Sequence, residues 1–436
     1  MKKKRSVLVL LCFAAFCAAM FLLWTKNGQD KTLEIGIFAG SNWNVANANS
    51  YEIIDQVISR FEKNHPGVKV HYYSGIRKDD YSEWLSRQLL EGKMPDVFMV
   101  LSDDFNRLVS VGALKDLNPL IAADSTFDQT KYYKTTISAG QSSGRQYALP
   151  YETVPNLMFV NKTLLNSEGI EVPSVNWTWD DLYGIASKVT KDKNGDGSTD
   201  QYGVYNYDWT EAAYSNGVEL FNRDGTEAFL TDPRVIEAVK FIKQLKLLNG
   251  GYQVTQDDFD SGHVAFMPLS YAAYRTYKTY PYRVKKYSQF QWDCITFPAG
   301  KSGGNVSEVD TLLMGINSRT GKEKLAWEFL KQMCYDESVQ MDLFRYSQGA
   351  SVLKDVTLSG EAAGILQQDM EKNEKFIDNE LLSSVLEKGV STPQFRKYNA
   401  ALTQAENTVN RAIDNNDDID SSMRLLELQV NQYLKQ

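Results

Sequence analysis

The apolar positions of the chain switch between two periods, and the switches mark out the elements. Leu33–Phe38 alternates in the manner of a half-buried strand. After a polar stretch from Gly40 to Asn49, Ile54, Val57, Ile58 and Phe61 recur at helical spacing, with Ser50 as the expected N-cap and His65-Pro66-Gly67 as the stop. Val68–Tyr72 alternates again. A second helix is predicted from about Asp80 to Glu91, turning Trp84, Leu85 and Leu89 inward. Pro95–Val100 then runs without a polar break after Asp96, as a strand covered on both faces does.

Strands that alternate with helices imply a mostly parallel sheet, and ligands of such sheets sit at the loops beyond the strands' carboxyl ends. Here those are the loop after Phe38 and the stretch Leu101–Phe105. A second α/β stretch begins at Tyr147–Tyr151, where Pro150 and Pro155 fix the backbone of a crossing segment. It continues with a strand at Leu157–Val160 and with helices starting at Asn161-Lys162, at Trp177–Asp181 and at Thr231-Asp232-Pro233. Thr296–Gly304 reads as a Gly/Ser linker or surface loop. A strand at Thr311–Ile316, a helix near Lys322–Met333 and about 90 mostly helical residues complete the chain.

The first 31 residues follow a different rule. Lys2-Lys3-Lys4-Arg5 precedes an apolar run from Val7 to Trp24, ~18 residues, the lower limit for crossing a bilayer and long for a signal-peptide core. Residues 1–31 are therefore expected to be a signal or anchor segment, with the rest of the chain on the outer side of the cytoplasmic membrane. Phe16 before Cys17 and Leu11 before Cys12 suit lipid modification poorly, which favours an uncleaved helix over a lipoprotein.

Composition narrows the function. The 436 residues imply two domains or more, and 23% charged and 43% apolar residues describe an ordinary globular chain. A net charge of −8 without a basic stripe argues against nucleic acid. Cys294 and Cys334 read as separate buried thiols, and three histidines with no close pair give zinc chemistry little to work with.

The order of short motifs is more specific than any of them alone. Phe61–Val70, Met94–Phe98, Gln146–Tyr151, Met158–Lys162, Gly169–Pro173, Trp177–Trp179, Phe259–Phe266, Phe297–Gly300 and Ala326–Leu330 occur in the sequence and spacing of one family. The chain resembles family 1 of the bacterial extracellular solute-binding proteins, the maltose-binding-protein-like group serving carbohydrate ABC importers. The resemblance covers about Leu33 to Lys354. It implies a type II periplasmic-binding-protein-like α/β fold, two lobes joined by hinge strands with sugar held between them. Lobe 1 would comprise residues 33–149 plus 308–345, and lobe 2 residues 150–307 plus 346–436. It also implies an oligosaccharide ligand, the permease subunits of an ABC importer as partners, no enzyme activity, a monomer, and contact with the membrane through the N-terminal segment only.

Sugars are held by aromatic faces against their C–H patches and by carboxylates and amides on their hydroxyls. The candidates are Asn42 and Trp43 in the first loop, Asp103 after the Pro95–Val100 strand, Tyr151 and Glu152 at the first crossing, Trp209 near a helix start, Tyr271 and Tyr274, and Asp310 at the second crossing. Core packing is the competing explanation for each aromatic, and plain solvation or a hinge ion pair for each acid. A separate run, Asp192, Asn194, Asp196, Ser198 and Asp200 with Gly197 at the sixth position, matches a calcium loop of the EF-hand kind, although its twelfth position is Gly203. A structural calcium ion and a plain Asx-rich turn both remain open there. No other cofactor is called for. The rival functions are a cell-surface glycosidase or lyase, for which Glu152 and Asp310 are the conceivable carboxylate pair, and a ligand sensor on the same fold.

Overall fold

The computed structural model describes residues 31–45, 51–278, 289–368, 377–391 and 393–436. The expected leader and the Ser50 cap lie outside the described residues. Among the described residues no helix is long and apolar enough to cross a membrane.

The strands are β1 (Thr32–Gly36), β2 (Lys69–Tyr72), β3 (Val97–Val100), β4 (Gln141–Ser142), β5 (Arg145–Gln146), β6 (Ala148–Asn161), β7 (Tyr202–Val204), β8 (Val264–Ser270), β9 (Trp292–Ile295), β10 (Glu308–Ile316) and β11 (Val390–Ser391). Nine of them form one mixed sheet along the path β2-β1-β3-β10-β6-β8-β7, with β11 beside β10 and β9 beside β6; β4 and β5 make a separate hairpin. The βα units supply parallel pairs, β1 with β2 and β3, and β7 with β8. The crossing strands add antiparallel ones: β10 pairs β3 and β6, and β6 pairs β8 and β9.

β6 is the structural link between the lobes. Its first half, Ala148–Pro155, pairs with β10, and its second half, Asn156–Asn161, pairs with β8 and β9. Pro150 and Pro155 do not divide it, and the register against β10 shifts between Leu312 and Leu313, next to the Leu313–Pro150 pair. Proline lacks the N–H a ladder needs, so an irregularity there is where it is tolerated.

Three apolar cores follow from this layout. The first packs β1, β3 and β10 residues such as Ile35, Val100 and Leu313 against Ile54, Val57 and Phe61 of the helix Glu52–Asn64. Burying each such side chain stabilises the fold by about 1.5–3 kcal/mol. Val352, Leu353, Val356 and Ala362 join this first core, although they lie in the stretch assigned above to lobe 2; Tyr132 pairs with Leu353 in an isolated bridge and holds them there. The second core gathers Trp177, Trp179, Trp209 and Phe266 with the C-terminal helices Tyr398–Asp414 and Ile419–Lys435. The third lies along the other face of β6 and β8 and includes Phe159, Tyr271, Tyr274 and Trp292. Cys334 is in the first core and Cys294 in the third, both free and buried, so they stand as the separate thiols expected.

Local chemistry sets the helix starts. Asn161 accepts from Leu164 N–H, Thr178 and Asp181 form a reciprocal capping box, and Asp232 caps the helix Pro233–Leu248. One expectation is corrected. Leu101–Phe105 is not a loop: a helix, Ser102–Ser110, begins at once after β3, with Asp103 and Asp104 in its first turn, where the helix dipole favours acids.

Candidate functional site

The loop after β1 turns Trp43 toward the junction of the lobes. Its backbone N–H is held by Ser41 Oγ at 3.0 Å, and its ring packs against both the first and the third cores. There it meets Glu152, a β6 carboxylate that is only 5% exposed. Glu152 accepts hydrogen bonds from the Ser347 hydroxyl and from Gly349 N–H, the latter at 2.9 Å. Position 349 must be glycine for this approach, because a Cβ there would lie 2.2 Å from Glu152 Oε1. Burial pushes the Glu152 carboxyl up to about 7, against the pull of the Trp43 and Gly349 N–H groups and the Arg275 charge. The Trp43 N–H favours the Glu152 charge in this way without completing a hydrogen bond of ordinary geometry.

Arg275 closes the cluster from the other lobe. It projects from the helix Tyr271–Lys278, and its guanidinium donates to the carbonyls of Phe344 (2.7 Å), Ser347 (2.8 Å) and Gly349 (3.2 Å) while lying over the Phe344 ring at 5.8 Å. Phe344 lies in the last turn of the helix Glu337–Tyr346 and Ser347 and Gly349 follow it, a helix end where a cation is favoured. Tyr271, one turn before Arg275 and 1% exposed, buries its hydroxyl without a partner. Two buried donors, the Trp43 indole N–H and the Tyr271 hydroxyl, thus lie unsatisfied at the lobe junction. Such groups demand an acceptor, from water or from a ligand.

A polar chain continues from this cluster along the interface. Lys78 donates to Asn42 O at 2.5 Å; partial burial lowers its pKa, while Asp310, Asp79 and Asp103 draw it back up. Asp103 accepts from Asn399 of the second lobe at 2.6 Å. Tyr398, beside Asn399, lies 3.5 Å from Glu308 and 3.3 Å from the Tyr214 hydroxyl. Glu211 is pushed well up by burial and then by Asp208 and Glu308, and Glu406 is raised by burial and Asp208. The second lobe therefore presents carboxylates to this end of the interface.

Of the residues predicted from sequence, Trp43, Glu152 and Tyr271 fall at the junction cluster, and Asn42, Asp103 and Asp310 at the Lys78 segment. Tyr151, Trp209 and Tyr274 are core residues, as Tyr271 itself is, and differ from it in their surroundings. Tyr151 points into the first core, on the side of β6 opposite its neighbour Glu152; Trp209 is 1% exposed in the second core; and Tyr274 is enclosed by Trp292 with its hydroxyl taking Ile377 N–H. Lys78, Arg275, Gly349, Asp208, Glu211, Tyr398 and Asn399 were not anticipated. Arg275 sits one residue past the flagged Tyr274, so the tyrosine pair was the available signal.

The Asp192–Asp200 loop lies away from the junction. Asp192 accepts from Gly195 and Gly197 N–H, Asn194 from Asp196 N–H, Asp196 from Ser198 N–H, and Asp200 from Lys193 N–H. Its acids close on the loop's own backbone. Among the described residues no three His, Cys, Asp or Glu side chains gather closely enough to share an ion.

The family model described as bacterial extracellular solute-binding protein matches residues 46–333. A protein of Escherichia coli (strain K12), YcjN, described as an ABC transporter periplasmic-binding protein, is 21% identical over 252 residues; the match spans 55% of this chain and 55% of that relative. The sugar-binding protein MalE of Xanthomonas citri superposes with a TM-score of 0.75 at 15% identity, covering 93% of this chain and 97% of its own. The cyclic alpha-maltosyl-1,6-maltose binding protein of Arthrobacter globiformis gives 0.75 at 15% identity, covering 93% and 99%. The ABC substrate-binding protein Lmo0181 of Listeria monocytogenes, solved with cycloalternan, gives 0.66 at 20% identity, covering 93% and 99%.

Proposed function

The chain belongs to the bacterial extracellular solute-binding protein family, and on that premise we propose that it binds an oligosaccharide between its lobes, outside the cytoplasm, and delivers it to an ABC importer. One observation carries the reading: the Trp43 N–H and the Tyr271 hydroxyl are both buried without a hydrogen-bond partner, Trp43 next to Glu152 and Tyr271 within the field of Arg275, which also acts on Glu152. An aromatic plate with donors and a carboxylate around it is what a pyranose needs. Proteins of the same fold are described as binding cycloalternan, cyclic maltosyl-maltose and maltotetraose, which supports the substrate class.

The mechanism is lobe closure. A ligand touching Trp43 from one lobe and Tyr271 from the other has full contact only in the closed form, so its differential affinity draws the population there. The importer's membrane subunits then read the closed surface. Glu152 and Asp310, the pair a glycosidase would need, have separate engagements, Glu152 with Ser347 and Gly349, Asp310 with Lys78. Binding without turnover is the reading we adopt. The leader holds the protein at the outer membrane face as an uncleaved helix, which mass spectrometry of the mature N-terminus tests.

Calorimetry of the purified protein against linear and cyclic gluco-oligosaccharides is the direct test. At least one is expected to bind, and Trp43→Ala to weaken it about tenfold or more, the loss of roughly 1.4 kcal/mol. Failure of every sugar, with binding of a peptide or polyamine instead, overturns the substrate class; an unchanged affinity in Trp43→Ala removes Trp43 from the site.

A further inference from the structure

Four Asn-Gly pairs occur in the chain. In such a pair the backbone nitrogen reaches the preceding side chain most easily, because glycine has no Cβ to stand in the way. Asn27-Gly28 lies in the leader, outside the described residues. The other three sit in different surroundings, and one of them is arranged to react.

Asn216 is fully buried and pinned on both sides of its carboxamide. Its amide nitrogen donates to Arg234 O at 3.0 Å and to Glu237 at 2.9 Å, and its Oδ1 accepts from Ser302 N–H at 2.9 Å. Gly217 N–H donates to Tyr214 O. Asn249 ends the helix Pro233–Leu248, and Gly250 N–H donates to Leu247 O at 3.2 Å. A carbonyl accepts that hydrogen bond but does not carry the proton away.

Asn194-Gly195 differs at each point. Both residues are exposed. Gly195 N–H donates to a carboxylate, Asp192 Oδ1, at 2.6 Å, within the reach a general base needs. Asn194 Oδ1 accepts from Asp196 N–H at 2.8 Å. That bond turns the carboxamide back over its own peptide and sets a donor where negative charge would collect on the oxygen. Gly197 N–H, at 2.7 Å from Asp192 Oδ2, leads the backbone groups that hold the Asp192 carboxyl below the usual carboxylate range, so it stays ionised near neutrality.

We propose that Asn194 is a self-modifying residue, whose side chain cyclises onto Gly195 N to give a succinimide that water opens to aspartate or isoaspartate. The bond from Gly195 N to Asn194 Cγ forms as the Cγ–Nδ2 bond breaks. The Gly195 proton passes to Asp192 and from there to the departing nitrogen, which leaves as ammonia. Water then adds across one imide C–N bond, and nothing is oxidised or reduced. Each event adds a negative charge to a loop that already holds Asp192, Asp196 and Asp200, and the isoaspartate product also lengthens the backbone. The inference stands apart from the ligand reading of the lobe junction.

Peptide mapping by mass spectrometry, on the purified full protein incubated in heavy-oxygen water, reads the reaction at each pair. Asn194 is expected to convert about tenfold or more faster than Asn249 and Asn216 in the folded protein. In urea the three should approach one rate, with Asn194 no faster there than in the fold. Because Asp192 is ionised throughout, conversion at Asn194 should change little between roughly pH 5 and 7, where a hydroxide-driven reaction rises about tenfold per pH unit. Asp192→Asn should slow it and restore the steep dependence. Four results overturn the proposal: Asn249 or Asn216 converts as fast in the fold; Asn194 converts faster in urea; the parent shows the steep dependence; or Asp192→Asn converts no more slowly. If Asp192→Asn disturbs the loop, the comparison of folded with urea-unfolded parent decides alone.

Discussion

Glu152 is a carboxylate placed where β6 passes from one lobe to the other, and its burial gives it a stability signature. Its pKa, raised from 4.5 to about 7 in the fold, means that the native state holds a proton that the unfolded chain has already released. Between roughly pH 4.5 and 7 the native state binds more protons, so stability falls as pH rises through that window and stays lower above it. Glu152→Gln keeps an acceptor for Ser347 and Gly349 but cannot ionise. Urea denaturation should therefore show a flatter dependence over that window and a higher midpoint than the parent at pH 8; an unchanged slope would show that Glu152 does not titrate as described. At this scale the sequence was half legible. Trp43 stands out in the sequence as a tryptophan in a polar loop, and in the fold its ring packs against the first and third cores beside Glu152. Tyr151 and Glu152 were flagged as a pair, yet neighbours on a strand point to opposite faces, and only Glu152 reaches the junction. Trp209, next to a helix start, suits core packing nearly as well as stacking from sequence, and the helices around it enclose it in the second core.

Among the elements, the helix Tyr271–Lys278 adds to the link that β6 makes between the lobes, and it does so through Arg275. Removing the guanidinium leaves three carbonyls of residues 344–349 without their charged donor. Arg275→Leu is expected to destabilise the protein by about 2–4 kcal/mol in urea denaturation, given what charged hydrogen bonds contribute and unpaired carbonyls cost; a midpoint equal to the parent's would mean the contact carries no weight. The helices themselves were readable because their signals are local. Asn161, Thr178 with Asp181, and Asp232 with Pro233 announce starts within a few residues. β6 was not readable as one strand, since Pro150 and Pro155 resemble punctuation until the register shift in β10 shows how they are accommodated. The helix after β3 was missed for a related reason: Ser102-Asp103-Asp104 suits a solvated loop as well as an acidic first turn.

The whole molecule is two lobes tied at several points besides the strands. Arg275, the Asp103–Asn399 hydrogen bond and the Tyr133–Ser383 hydroxyl pair each cross between them. If a ligand closes the lobes, small-angle scattering should record a smaller radius of gyration with a bound oligosaccharide than without it. A radius unchanged at saturation would argue against closure as the mechanism. The two-lobed plan was legible from the order of short motifs. The path of residues 352–362 back into the first core was not, because nothing in a short apolar stretch says which of two cores it will join.

The position of β10, between β3 and β6, has a consequence in time. β10 lies roughly two hundred residues after β3 in the chain. At about 5–20 residues per second, a ribosome needs some 10–40 s to travel from one to the other. Throughout that interval the first lobe has β1, β2 and β3 but not the strand that completes their sheet, and Val97–Val100 keeps an open edge. Pairings between such distant segments form slowly. The nascent chain is thus held back from its final shape by its own strand order, at the stage when a protein bound for the outside must still be loose enough to thread through a membrane.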